Sequence, residues 1–129
     1  MKRILGLLLM MGMMVGCGKG IKVGKEEYPN GAVEVEYQHY TSFFFYKTKH
    51  GWYKSYYESG KVKEEGNYVD KKTEGKWVWY YESGKVFWER NYVDGKREGK
   101  SVGYWENGEI RDEDIWKDGE CVEMCEGDE

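Results

Sequence analysis

From Lys76 to Glu82 the chain is rich in aromatic residues, as an extended strand prefers. Alternation places Trp77, Trp79 and Tyr81 on one face of that strand and Val78 and Tyr80 on the other. Ser83-Gly84 forms a turn, and Lys85 to Tyr92 forms a return strand with Val86, Trp88 and Tyr92 on a common face. A second, longer turn follows at Asp94 to Gly99, built from the Asp and Gly residues that such turns need. No segment after Cys17 carries a 3.6-residue apolar period, so the spacing predicts an all-β domain made of hairpins.

The hairpin is repeated. Gly60 to Ser83 and Gly84 to Asn107 are two copies of one 24-residue unit, with fifteen of the 24 positions identical. Unrelated segments do not agree to that degree, so the architecture is a repeat array. Gly60, Gly84 and Gly108 keep the 24-residue step, as do Gly51, Gly75 and Gly99, and Asp70, Asp94 and Asp118. Tyr28-Pro29-Asn30-Gly31 resembles an earlier copy of the turn, which implies a first unit carrying an insertion near His39 to Phe45. The expected repeats therefore span 28–119, as units 28–59, 60–83, 84–107 and a partial 108–119, followed by an acidic tail at 120–129. One hairpin is marginal alone. Stacking brings Tyr57, Tyr81 and Trp105 into register, and likewise Val62, Val86 and Ile110. The Phe43-Phe44-Phe45-Tyr46 insert is the candidate first cap, and the acidic last copy would discourage edge-to-edge pairing.

Composition explains how so polar a chain folds. Charged residues make up 34%, and the aromatics that offset them reach 17%, with 12 Tyr and 6 Trp. Tyr and Trp bury large areas while keeping a polar tip in water, so a thin structure on aromatic stripes is expected. Net charge is −4 for the chain, and −6 without residues 1–16, which carry Lys2 and Arg3 and no acid. An acidic domain argues against nucleic acid as a main partner.

Residues 1–16 read as a secretory signal: Lys2-Arg3, then an apolar run from Ile4 to Val15 that is short for a membrane span. Met14-Val15-Gly16-Cys17 resembles the bacterial lipobox. The resemblance implies cleavage before Cys17, diacylglycerol on its thiol and acylation of the new amine, giving the several chains that stable anchoring takes. The alternative is an ordinary signal peptide with an incidental cysteine. No Asp follows Cys17, so in a two-membrane bacterium the expected location is the outer membrane, facing periplasm or cell surface. Residues 17–27, rich in Gly and Lys, read as the lipidated cysteine and a flexible tether.

Tyr80-Tyr81-Glu82-Ser83-Gly84-Lys85-Val86, Asn91-Tyr92-Val93-Asp94-Gly95-Lys96 and Glu98-Gly99-Lys100 together resemble the bacterial variant of the MORN (membrane occupation and recognition nexus) repeat. Such arrays are often grouped with the YwqK-type antitoxin family. The resemblance implies antiparallel hairpins joined into a twisted single-layer sheet. Lys71 replaces a turn glycine, and Ser101 and Gly103 replace Trp77 and Trp79 one unit on, so less regular stacking is expected toward the C-terminus.

Little in the chain points to catalysis or a cofactor. Neither a Gly-x-Ser-x-Gly elbow nor a phosphate-binding glycine loop occurs. His39 and His50 fit no ligand or catalytic spacing and read as structural or solvated. Glu64, Glu65, Glu89 and Glu113 recur with the repeat, which suggests a cross-strand charge ladder with Lys or Arg. Asp118-Gly119-Glu120 is a poor calcium ligand set. Cys121 and Cys125 are too far apart in a strand for a disulfide and within range in a helical turn, so a terminal disulfide, two inert thiols and a metal or redox pair all stay open.

The aromatic stripe is the one candidate binding surface: Trp77, Trp79, Tyr81 and Trp88 are placed to stack on a partner, unless they form the thin core itself. The expected function is a non-catalytic, lipid-anchored scaffold for an unidentified protein partner, antitoxin-like by resemblance. Envelope glycan binding and a self-associating envelope protein are the alternatives. Gly51-Trp52-Tyr53 superficially resembles the aromatic hairpins of cell-wall-binding modules, which have shorter units.

Overall fold

The computed structural model describes residues 20–41 and 47–125. The signal at 1–16, Cys17 and the Phe43-Phe44-Phe45-Tyr46 insert lie outside the described residues. Among the described residues every regular element is a strand: β1 (Ile21–Glu27), β2 (Val33–Thr41), β3 (Lys47–Tyr56), β4 (Val62–Val69), β5 (Lys72–Tyr80), β6 (Val86–Val93), β7 (Lys96–Arg97), β8 (Gly99–Tyr104), β9 (Ile110–Lys117) and β10 (Glu120–Glu123). They form one open antiparallel sheet in chain order, with β7 and β8 both pairing with β6. The all-β hairpin array expected from the 24-residue period is the observed architecture.

Two boundaries differ from the sequence expectation. The stretch read as a tether is a strand from Ile21 to Glu27, paired with β2 from Ile21↔Tyr40 to Glu27↔Val33. Lysine and glycine hid it, since an edge strand needs only backbone pairing on one side. The acidic tail likewise opens with β10, whose Cys121 faces Trp116.

The turns explain the period. The second turn has two residues, not six: Val93 pairs with Lys96, leaving Asp94 (φ 51°) and Gly95 (φ 82°) as a hairpin of the type that needs two positive φ angles. Asp70-Lys71 and Asp118-Gly119 repeat it. Each turn is tied to the preceding unit, as the amides of Lys71, Gly95 and Gly119 donate to the carbonyls of Lys49, Thr73 and Arg97 at 2.9, 3.0 and 2.9 Å. A side chain supports the same turn: Glu74 Oε2 and Glu98 Oε2 accept from the amides of Asp94 and Asp118, both at 2.8 Å. His50 holds that place in the first unit, with Nδ1 3.3 Å from the Asp70 amide. His50 therefore belongs to the repeat pattern, 24 residues before Glu74.

The opposite rim is stitched by tyrosines. Tyr28, Tyr57 and Tyr81 donate their hydroxyls to the carbonyls of Tyr56, Tyr80 and Tyr104 at 2.9, 2.6 and 2.8 Å. Beside this rim the register slips once per unit: Trp79 faces Trp88 but Tyr80 faces Val86, leaving Phe87 as a bulge. Val86 consequently shares the face of Tyr80 and not that of Trp88, contrary to simple alternation.

Stacking does become less regular toward the C-terminus: the counterpart of β5 is divided into β7 and β8, and β8 pairs with β6 only at Trp88↔Gly103 and Glu89↔Val102. The substitutions there exchange size between positions. Trp77, only 3% exposed, lies over Gly66. One unit later Arg90 stands in the place of Gly66, and Ser101, 2% exposed, in the place of Trp77. Gly103 stands for Trp79 and faces Trp88, which stands for Glu64. A Cβ on Gly103 would lie 3.0 Å from the Trp88 ring.

Candidate aromatic binding face

The two faces of the sheet differ in chemistry. One carries ion pairs between neighbouring strands: Lys54–Glu65 at 3.0 Å, Lys76–Glu89 at 2.7 Å and Lys100–Glu113 at 2.8 Å. This is the charge ladder expected from the recurring glutamates, and as exposed pairs its members each contribute little stability. Tyr80 adds to it by donating to Glu65 at 2.6 Å, and this hydroxyl, with Lys54 second, holds the Glu65 carboxyl below its usual range.

Glu64 belongs to the other face, where it accepts from Tyr53 Oη at 3.1 Å and from the Trp79 indole N–H at 2.6 Å. Aromatic rings run along this face from strand to strand. Tyr53, Tyr68 and Trp77 meet at centroid distances of 5.1 to 5.6 Å, and Trp77 reaches Trp79 at 6.0 Å. Burial pushes the hydroxyls of Tyr53 and Tyr68 above the usual phenol range, with the Glu64 charge adding to it.

Cations cap the rings. Lys49 Nζ sits 4.8 to 5.3 Å from the centroids of Tyr37, Tyr53 and Tyr68. The Arg90 guanidinium lies 4.5 Å from Trp88 and 5.6 Å from Trp79. Arg111, bonded to Asp112, lies 5.0 to 5.4 Å from Phe87, Trp88 and Trp105. Such contacts contribute about 0.5–1 kcal/mol each at exposed sites. The result is a half-exposed strip of rings and guanidinium groups, ending at Trp105, which is 53% exposed.

Of the four residues singled out from sequence, Trp79 and Trp88 form this strip as direct cross-strand partners. Trp77 is buried beneath it and acts as core. Tyr81 lies past the end of β5, where its ring packs on Phe87 at 5.0 Å and its hydroxyl joins the rim. Phe87, Arg90, Trp105 and Arg111 were missed. Repeat register offered a signal for two of them, since Trp105 follows Tyr81 and Arg111 follows Phe87 by one period.

The remaining candidates sit elsewhere. Cys121 and Cys125 are joined in a disulfide, with Cα atoms 6.0 Å apart because the chain turns at Met124 (φ 59°) after β10. Asp118-Gly119 is a hairpin turn, and among the described residues no group of three His, Cys, Asp or Glu side chains is placed to hold a metal. His39 is buried, with burial and nearby Lys47 and Lys22 lowering its basicity.

Three consecutive segments of the chain, residues 49–70, 73–94 and 97–118, match the MORN repeat variant family. The chain belongs to this family. Each matched MORN segment coincides with one hairpin: β3–β4, β5–β6, and β7 to β9. The family's unit thus starts 11 residues before the glycine-led unit read from sequence, since it runs from turn to turn of the Asp-Gly rim. No curated protein and no solved structure matches the chain. The MORN hairpins form a repeat scaffold, with Trp79 and Trp88 on the second matched segment and the exposed Trp105 on the third.

Proposed function

We propose that this chain is an exported bacterial lipoprotein, anchored through acyl chains on Cys17, whose MORN-repeat sheet binds another protein without catalysis. The observation that carries the reading is the Trp79–Trp88 pair, half-exposed and capped by Arg90 and Arg111 on a face otherwise tied up in its own contacts. Aromatic and arginine side chains are the residue types that dominate protein-binding hot spots. The opposite face offers a solvated charge ladder, which supports specificity poorly.

An antitoxin-like role, neutralising an exported toxin by occupying it, is the biological form this reading favours. It rests on the likeness to YwqK-type arrays. The lipobox-like Met14-Val15-Gly16-Cys17 supports export to the bacterial envelope.

The test is affinity capture of the tagged full chain after crosslinking in intact cells, beside a Trp79→Ala, Trp88→Ala variant shown to be folded by circular dichroism. A discrete protein captured by the wild type and lost from the variant is the expected result. Recovery of glycan-derived material without protein would replace this reading with wall binding, and self-crosslinks alone would replace it with a structural role.

A further inference from the structure

Among the described residues β10 pairs with β9 alone, at Glu120↔Lys117, Cys121↔Trp116 and Glu123↔Ile115, and it slips register between the last two. None of its residues is buried, and Val122 is 53% exposed. So short a strand, paired on one side and burying little apolar surface, is marginal by itself. The Cys121–Cys125 disulfide closes the chain back onto it, over a sequence separation of 4.

The same bond is placed to be opened. Cys125 is exposed, whereas Cys121 is half-buried and faces Trp116. Exposed disulfides are the ones that exchange readily. Closure holds Met124 at φ 59°, a left-handed conformation unfavourable for a residue with a side chain, and that side chain is 67% exposed and buries little in return. Both sulfurs lie beside the Glu123 carbonyl oxygen, at 3.5 and 3.4 Å. A disulfide has no S–H to donate to that oxygen, and a thiol has one.

We infer that Cys121–Cys125 is a thiol–disulfide exchange site for a dithiol reductant, and that its reduction releases β10 from the edge of the sheet. The inference draws on the export reading only for the oxidising compartment in which the bond forms, and it is independent of the protein-binding reading. One thiolate of the reductant attacks Cys125 Sγ, the accessible sulfur. The S–S bond breaks, its electron pair leaves with Cys121 Sγ, and a mixed disulfide joins Cys125 to the reductant. The reductant's second thiol, as its thiolate, then displaces Cys125. Two electrons and two protons pass from the dithiol to the cysteines, and the reductant departs as a disulfide.

The fold limits how far the opening runs. The turn at Asp118-Gly119 is held by the bond from the Gly119 amide to the Arg97 carbonyl and by that from the Asp118 amide to Glu98, and neither involves a cysteine. Release therefore begins at Glu120 and uncovers the outer edge of Ile115–Lys117. It also uncovers one side of Trp116, whose ring the Arg97 guanidinium caps at 4.2 Å. Gly99, which Trp116 faces, shares its side of β8 with Gly103, which faces Trp88. The disulfide thus closes the C-terminal end of the aromatic face.

The experiment is amide hydrogen exchange on the intact chain in detergent, with dithiothreitol as the dithiol and the state of each cysteine followed by peptide mass. Dithiothreitol should reduce the folded protein about as fast as a urea-unfolded sample. Exchange at 115–117 and 120–125 should then speed up about tenfold or more, while 47–104 keeps its rates. A Cys121→Ser, Cys125→Ser variant should show the fast exchange without reductant and no further response to it. A bond that withstands the reductant until the protein is unfolded overturns the exchange site. Unchanged exchange at 120–125 after full reduction overturns the release, because backbone pairing alone would then hold β10. Acceleration across the whole sheet does the same, because the bond would then be a staple for the entire fold. None of these outcomes bears on the Trp79–Trp88 reading, which its own variant tests.

Discussion

Tyr57 donates its hydroxyl to the carbonyl of Tyr80 at 2.6 Å, across the boundary between two units. Tyr28 and Tyr81 make the same bond to Tyr56 and Tyr104, so one atom per unit stitches the rim. Tyr57→Phe keeps the ring and deletes the bond. It should lower stability by about 0.5–1.5 kcal/mol, read as a shift in urea midpoint with unchanged slope. A neutral result would assign the rim's cohesion to the turns alone.

The size exchange between units gives a less intuitive expectation. Ser101→Trp restores the residue that the preceding unit carries at this position. It should nevertheless destabilise by about 1–3 kcal/mol, the usual cost of overpacking, because Ser101 is fully buried and Arg90, not a glycine, stands where Gly66 makes room for Trp77. Gly66→Ala should cost a similar amount, since its methyl would overlap the Trp77 indole. Thermal denaturation of both variants checks the pair. Tolerance of Ser101→Trp would mean that the two units do not compensate.

These particulars mark what was legible in the sequence. The 24-residue step and the Asp-Gly turns disclosed the hairpins, and alternation correctly put Trp77 and Trp79 together. Alternation failed at Val86, because a bulge at Phe87 shifts the register, and a bulge leaves no composition signal. It gave no warning that the place of Trp79 is taken, one unit on, by Trp88 facing Gly103 from another strand. The burial of Trp77 was not legible either, since facing a stripe and lying beneath it look alike in one dimension. β1 was missed because its pairing is carried by backbone, not by apolar side chains.

Lys71 adopts φ 72° where the corresponding Gly95 and Gly119 have φ 82° and 85°. A side chain in this conformation costs about 1–2 kcal/mol relative to glycine. Lys71→Gly should therefore raise stability by about 1 kcal/mol, measured by chemical denaturation. A loss of stability would show that the lysine side chain contributes more than its backbone costs.

The tyrosines predict the alkaline limit of the fold. Burial, with the Glu65 hydrogen bond and charge, pushes Tyr80 up to about 12, and burial also raises Tyr37, Tyr53, Tyr56, Tyr57 and Tyr68. A raised folded-state value means that the neutral form is favoured by folding. This contribution is complete below the ordinary value of 10.0 and is lost as pH rises toward 12. Stability should fall across that window, and tyrosinate absorbance should rise late and together with unfolding. Absorbance rising at the ordinary value in a folded protein would contradict the burial of these rings.

The central claim is that partners meet the aromatic face at Trp79 and Trp88 and not the charged face. The most direct measurement is photo-crosslinking in intact cells with a photoreactive phenylalanine analogue in place of Trp88, or of Lys76 on the opposite face. A discrete protein adduct from position 88 and none from position 76 is the predicted result. Equal adducts from both positions, or adducts from position 76 alone, would contradict it.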